Sequence, residues 1–216
     1  MGSGSAMTPL PLKAPADPTT IAITRHLVAA CDGFGVPCLI VGATARVLIL
    51  ENVFGLSPGR ATRDVDFAVA VDSWERFDAL KRQLVATGHF RASNDQKQRL
   101  HFHPTGIPVD LVPFGGIEGP GHIVAWPPEM AIQLSVAGYD DALRSSLEIA
   151  LDPRLGVRVA SLPGQALLKI QAWAYRGAAT GGKDAQDLAI LMRTYEQAGE
   201  SSRIYEQGEE IGDSLG

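Results

Sequence analysis

Cysteine is nearly absent from this 216-residue chain, which has only Cys31 and Cys38. Neither sits with the further Cys or His that a thiolate metal site needs, so a disulfide framework and a zinc ribbon are both excluded. Both thiols are expected to be reduced and structural. Also missing are a charged-then-apolar leader and any apolar run near the roughly 18 residues of a membrane span. The cytoplasm is therefore the expected compartment, with no membrane partner. Excess positive charge is lacking too. A formal net charge of -5 argues against a surface built throughout to hold nucleic acid. Arg60, Arg63, Lys81, Arg82, Arg91, Lys97 and Arg99 nonetheless cluster in the first half and allow a local basic groove.

What is present is an ordinary folded composition, 45% hydrophobic and 20% charged, long enough for one good core or a core with a small helical appendage. Residues 1–6 read as a tag remnant ahead of Met7, and 7–19, rich in Pro, Ala and Thr, as an arm. The expected fold is α+β, a mixed sheet flanked by helices. Its core would span 20–125, with a smaller hairpin-and-helix half, 126–216, closing the cleft.

The stretch that organises the rest is Asp64-Val65-Asp66-Phe67-Ala68-Val69-Ala70-Val71, a buried strand in pattern, preceded by the turn residues Ser57, Pro58 and Gly59. Two aspartates break its apolar run, although Asp is disfavoured in strands and costly to bury unpaired. Residues two apart face the same way, so Asp64 and Asp66 lie side by side about 7 Å apart along the backbone. Val65, Phe67, Val69 and Val71 then take the other face. Adjacent carboxylates suit hard divalent cations and metal-dependent phosphoryl or nucleotidyl transfer. The plain alternative is a pair of solvated aspartates at a strand mouth.

The surroundings bear on that choice. Cys38-Leu39-Ile40-Val41 reads as a strand from the middle of a sheet, and Gly42-Ala43-Thr44-Ala45 follows at once, opening a helix over 43–54. Such a helix aims free N–H groups at the space beyond the strand, where phosphate binds. Gly42 permits close approach there, and Thr44 either offers a hydroxyl or caps the helix. Ile107-Pro108-Val109-Asp110-Leu111-Val112-Pro113 is a later strand with one acid. Placed beside 64–71, Asp110 is a third carboxylate, enough for two Mg²⁺ or for a general base toward an acceptor hydroxyl. His101 and His103 are either a zinc half-site without a third ligand or surface histidines of a hairpin.

Other helices are expected over 20–32, 73–87 with Ser73 as cap, and 161–176 with Ser161 as cap and Pro163 in the first turn. On the last, Gln165, Lys169, Ala172 and Arg176 share one face, opposite Leu162, Ala166, Leu167, Ile170 and Ala174. Lys183-Asp184-Ala185-Gln186-Asp187-Leu188 begins a final helix in which Asp184 and Asp187 have the spacing of a cap and its reciprocal acid. Residues 91–98 read as polar loop, 131–136 as a strand, 139–145 as a short helix, 147–151 with 157–160 as a hairpin, and 197–216 as a weak helix with an acidic end.

Val41-Gly42-Ala43-Thr44-Ala45, then Arg60-x-Thr62-x-Asp64-x-Asp66, then Asp110 in an apolar strand, resembles the core of the DNA polymerase β-like nucleotidyltransferase superfamily. Leu162-Pro163-Gly164, Leu168-Lys169-Ile170-Gln171-Ala172-Trp173, Arg176 and Lys183-Asp184-x-x-Asp187-Leu188 narrow the likeness to the AbiEii-type toxin and related bacterial nucleotidyltransferases. The resemblance covers about residues 20–195. It implies an enzyme that moves a nucleoside monophosphate from a nucleoside triphosphate to a hydroxyl of RNA (tRNA) or protein, with a cognate antitoxin as partner. It also implies that Asp64, Asp66 and Asp110 hold Mg²⁺ or Mn²⁺ and that Lys169 is catalytic. Gly42, Ala43, Thr44, Arg60, Arg63, Arg176, Lys183, Asp184 and Asp187 would meet the nucleotide. One departure is Gly42-Ala43, where the family often has Gly-Gly or Gly-Ser; Ala43 offers an N–H but no hydroxyl. Two rival readings are a non-catalytic nucleotide-sensing or partner-binding protein, and a metal-dependent phosphohydrolase that recruits His101 and His103.

Overall fold

In the computed structural model, residues 9–59, 63–177 and 181–200 are described. The chain runs β1 (Leu10–Pro11), α1 (Pro18–Phe34), β2 (Cys38–Val41), α2 (Gly42–Val47, continued by wider π-helical turns over Leu48–Phe54), β3 (Val65–Ala70), α3 (Trp74–Ala86), β4 (Phe90–Ala92), β5 (Arg99–Phe102) and β6 (Ile107–Phe114). It continues through β7 (Ile123–Ala125), β8 (Gln133–Ser135), α4 (Tyr139–Arg144), β9 (Leu147–Asp152), β10 (Leu155–Val159), α5 (Leu162–Arg176) and α6 (Lys183–Tyr195). Eight strands form one mixed sheet in the order β1-β9-β10-β2-β3-β6-β5-β4, and β7 with β8 makes a small second sheet.

The local reasons are ordinary. Asp17 enters α1 by accepting a 2.8 Å bond from the Thr20 N–H, and Gly35 ends it in the left-handed region. The α1 stripe of Ile23, Leu27 and Cys31 and the α3 stripe of Phe77, Leu80 and Leu84 are buried, and these two helices pack together. In the sheet, β3 is antiparallel to β2 and parallel to β6, with Phe67, Val69, Val109 and Leu111 fully enclosed. The remaining helices gather elsewhere, α5 packing on α6, α4 and α2.

Three features differ from the sequence expectation. The β9–β10 hairpin does not stand apart in the C-terminal half, because β10 lies parallel beside β2, Val159 opposite Ile40, and so extends the main sheet. Without it the edge of β2 would expose a row of unpaired backbone groups. Within the expected 91–98 loop, β4 forms because Phe90 is buried and pairs across to Phe102. Strand β7 has no counterpart in the expectation. No helix among the described residues is long and apolar enough to cross a membrane. The tag remnant and the acidic end, residues 1–6 and 201–216, lie outside the described residues.

Candidate active site

Val41, Asp66, Asp110 and Arg99 stand in register across four neighbouring strands, β2, β3, β6 and β5. Because β3 and β6 are parallel, side chains at paired positions lie on the same face, and Asp64 precedes Asp66 by one two-residue repeat. One carboxylate oxygen from each of Asp64, Asp66 and Asp110 lies within 4.8 Å of the other two. Burial, reinforced by the charges of Asp64 and Asp110, pushes the Asp66 carboxyl up to about 7, with Lys169 and Arg99 offsetting part of the effect. A cluster of oxygen donors whose own repulsion disfavours ionisation fits a hard divalent cation, which would remove that repulsion. Arg99 meets the cluster from one side, its Nε donating to Asp110 Oδ1 and its Nη2 to Oδ2, both at 2.7 Å.

The turn from β2 into α2 abuts this cluster. Gly42 has φ +66, and a Cβ there would fall 2.2 Å from Asp66 Oδ2, so only glycine closes the turn against the carboxylate. Ala43 follows and is buried. Thr44 directs its hydroxyl to the Asp64 carbonyl at 3.2 Å, anchoring the entry to β3. With Arg63 and Asp64 it lines a separate surface hollow. Arg60 lies outside the described residues.

Ser161 caps α5 by accepting from the Gly164 N–H at 3.2 Å. The polar face of that helix is its inner one: Gln165, Lys169, Ala172 and Arg176 line the central cavity, whereas Ile170 is 52% exposed. The Lys169 ammonium contacts Asp184 at 3.2 Å and Asp187 at 2.7 Å, and Arg176 contacts Asp184 at 3.0 Å. Arg46, on α2 and fully buried, meets Asp187 at 2.8 Å and donates to the Pro58 carbonyl at 2.8 Å. Burial works against the Asp187 charge, but Lys169 and Arg46 outweigh it and hold that carboxyl below the usual carboxylate range. Helix α6 starts at Gly182 with no side-chain cap bond. Asp184 and Asp187 are thus buried counterions and not the cap pair that their spacing suggested. Lys183 is exposed at the first residue of α6.

Both charge clusters open onto one cavity of about 450 Å³, with Gly42, Asp66 and Asp110 on the sheet side and Lys169, Arg176 and Asp184 on the helical side. Trp126 and Tyr139 add aromatic wall, Tyr139 packing on Phe114 with ring centres 5.7 Å apart. Burial, then the Asp66 charge, raises the Tyr139 hydroxyl well above its ordinary pKa, so it keeps its proton. His101 and His103 stand outside the carboxylate cluster, and among the described residues no histidine joins it.

A sequence model described as "Nucleotidyl transferase AbiEii toxin, Type IV TA system" matches residues 25–211. The chain belongs to this family. It is a nucleotidyltransferase, as its sequence resemblance implied. Among solved structures, an antigenic nucleotidyltransferase-like protein from Paracoccidioides brasiliensis is similar at 17% identity and a TM-score of 0.53, over 94% of each chain. The antibiotic-resistance factor ANT(2'')-Ia is similar at 14% identity and a TM-score of 0.48, over 93% of this chain and 100% of that one. The lincosamide antibiotic adenylyltransferase LnuA is similar at 12% identity and 0.46, over 83% and 98%. At such identities the first of these speaks for the fold, the mixed α/β nucleotidyltransferase arrangement. A search of curated protein sequences found no match.

Two residues of the candidate site escaped the sequence reading. Arg46 carried a usable signal, a lone charge inside the apolar run Ala43 to Leu50, the same kind of anomaly as Asp110 in its strand. Arg99 was counted only as part of a basic cluster. Its partnership with Asp110 comes from strand register, which no local pattern encodes.

Proposed function

We propose that this nucleotidyltransferase moves a nucleoside monophosphate from a nucleoside triphosphate onto a hydroxyl of RNA or protein and releases pyrophosphate, with Mg²⁺ or Mn²⁺ at Asp64 and Asp66 and with Asp110 completing the site. The observation that carries it is the carboxylate trio, two of whose members, Asp66 and Asp110, line one cavity with Lys169 and Arg176. When bound, the cation neutralises phosphate charge and lowers the acceptor hydroxyl's pKa. Gly42 lets the backbone come close to the phosphates at the start of α2. Lys169 supports the charge that develops on the leaving pyrophosphate, and Arg176 orients the nucleotide beside it. Asp110 takes the acceptor's proton. Asp184 and Asp187 complete the nucleotide's surroundings by holding Lys169 and Arg176 in place. The family description as a toxin of a type IV system supports a cognate antitoxin as partner.

One observation favours a second reading, nucleotide binding without transfer: Ala43 lacks a hydroxyl and that of Thr44 is engaged by the Asp64 carbonyl. Incubation with each labelled triphosphate, Mg²⁺, total RNA and a protein extract separates the two. Label appearing in RNA or protein with stoichiometric pyrophosphate is the expected result. Bound nucleotide with no pyrophosphate makes the protein a sensor, and free phosphate with no labelled acceptor makes it a phosphohydrolase.

A further inference from the structure

Asp110 differs from the other two carboxylates in its company. Both of its oxygens are taken by the Arg99 fork at 2.7 Å, whereas among the described residues no cation pairs with Asp64 or Asp66. The pair is set by the backbone, because Arg99 and Asp110 are direct partners on antiparallel β5 and β6, and both side chains are largely enclosed, at 23% and 15% exposure. A planar guanidinium that engages both carboxylate oxygens fixes the carboxylate in the plane of the fork and uses one lone pair of each oxygen. Charge points the same way. Three carboxylates and one guanidinium leave a net of two negative charges, which one divalent ion balances. A second ion would turn that balance to two positive charges before any phosphate has arrived, in a cavity whose Lys169 and Arg176 are already paired with Asp184 and Asp187.

We infer that Arg99 stands in for a second metal ion: the nucleotide-free protein takes one divalent cation on Asp64 and Asp66, and Asp110 is not among its ligands. This rests on the metal reading of the site proposed above. It makes Arg99 a positioning residue, one that acts through Asp110, reserving that carboxylate for the acceptor and setting how many ions enter ahead of the nucleotide.

The test is Mn²⁺ titration of the full chain without nucleotide, followed by electron paramagnetic resonance and calorimetry. The unaltered protein is expected to bind one ion. Arg99→Gln should admit a second, or bind the first at least tenfold more tightly. The double variant Arg99→Gln/Asp110→Asn, which removes the pair and keeps the net charge, should leave the first ion's affinity unchanged, while Asp64→Asn should lose it. Arg99→Lys keeps the charge and should keep the single ion; it also guards against a folding artefact in Arg99→Gln, with circular dichroism as the check. Two ions on the unaltered protein, equal binding by Arg99→Gln, or a tenfold loss in the double variant would each overturn the inference while leaving the metal site intact. No Mn²⁺ binding by the unaltered protein would overturn the inference and the metal reading together.

Discussion

Among the described residues, three acids on the sheet, Asp64, Asp66 and Asp110, meet one paired cation, Arg99; between α5, α6 and α2, two acids, Asp184 and Asp187, are shared by three cations, Arg46, Lys169 and Arg176. The residue types are similar and the balance is opposite. In the helical cluster each acid has at least two cationic partners, and burial is compensated by short contacts, so the cluster holds α6 against α5 and α2. In the sheet cluster burial is not compensated, which is why Asp66 is pushed up to about 7 while Asp187 is held down. A buried charge that the fold leaves dissatisfied marks where a ligand belongs, and one that the fold satisfies marks architecture.

The comparison is broken most strongly at Asp66. Asp66→Asn removes a charge and almost no volume. It is expected to lower transfer by about 100-fold or more, roughly 3 kcal/mol of transition-state stabilisation, and to raise the melting temperature of the metal-free protein at pH 8. Pyrophosphate release and a thermal melt measure the two effects; undiminished transfer would remove the sheet cluster from the chemistry.

At Asp187 the expected damage is to folding. Asp187→Ala takes the carboxylate from the buried Arg46 and from Lys169 and should cost about 3 kcal/mol in urea unfolding, the usual scale for breaking a buried ion pair from one side. A loss below about 0.5 kcal/mol, typical of surface changes, would contradict the architectural role. Lys169 belongs to both regions, since it pairs with α6 and its charge reaches Asp66. Lys169→Ala should therefore reduce transfer by more than tenfold, above about 1.4 kcal/mol, and also cost about 1 kcal/mol of stability. An exposed lysine would show neither effect.

The smallest effect is in pH dependence. Asp66 has a folded-state pKa of about 7 against an ordinary 3.8, so between those values the folded protein holds a proton that the unfolded chain has released. Its contribution to stability is present at low pH and lost as pH rises toward 7. A divalent cation at the carboxylates reverses the loss. Mg²⁺ should raise the melting temperature more at pH 8 than at pH 5.5, by about 2–4 °C for each kcal/mol gained in a chain of this size. An equal Mg²⁺ increment at both values would separate the ion from Asp66.

Much of this was legible along the chain because it is encoded locally. Asp64, Asp66 and Asp110 were visible as acids in apolar strand runs, and Gly42 as the break between strand and helix. The caps Ser73 and Ser161 also lie where the pattern placed them. Spacing misled at Asp184 and Asp187, since three residues apart on a helix serves a cap and a pair of inward counterions equally well. The hairpin's place beside β2 and the strand β4 depended on which edges needed partners.

By itself the sequence determined which residues are anomalous for their surroundings, because the cost of an acid in a strand or an arginine in an apolar helix is set by neighbours a few positions away. Only the tertiary structure decided their pairing. Register brought Arg99 onto Asp110 and left Asp66 without a cationic partner among the described residues, and packing turned the polar face of α5 inward so that Lys169 and Arg176 share a cavity with Asp66 and Asp110. Charge satisfaction is a property of distances between segments remote in sequence, and those distances exist only once the sheet and helices have closed.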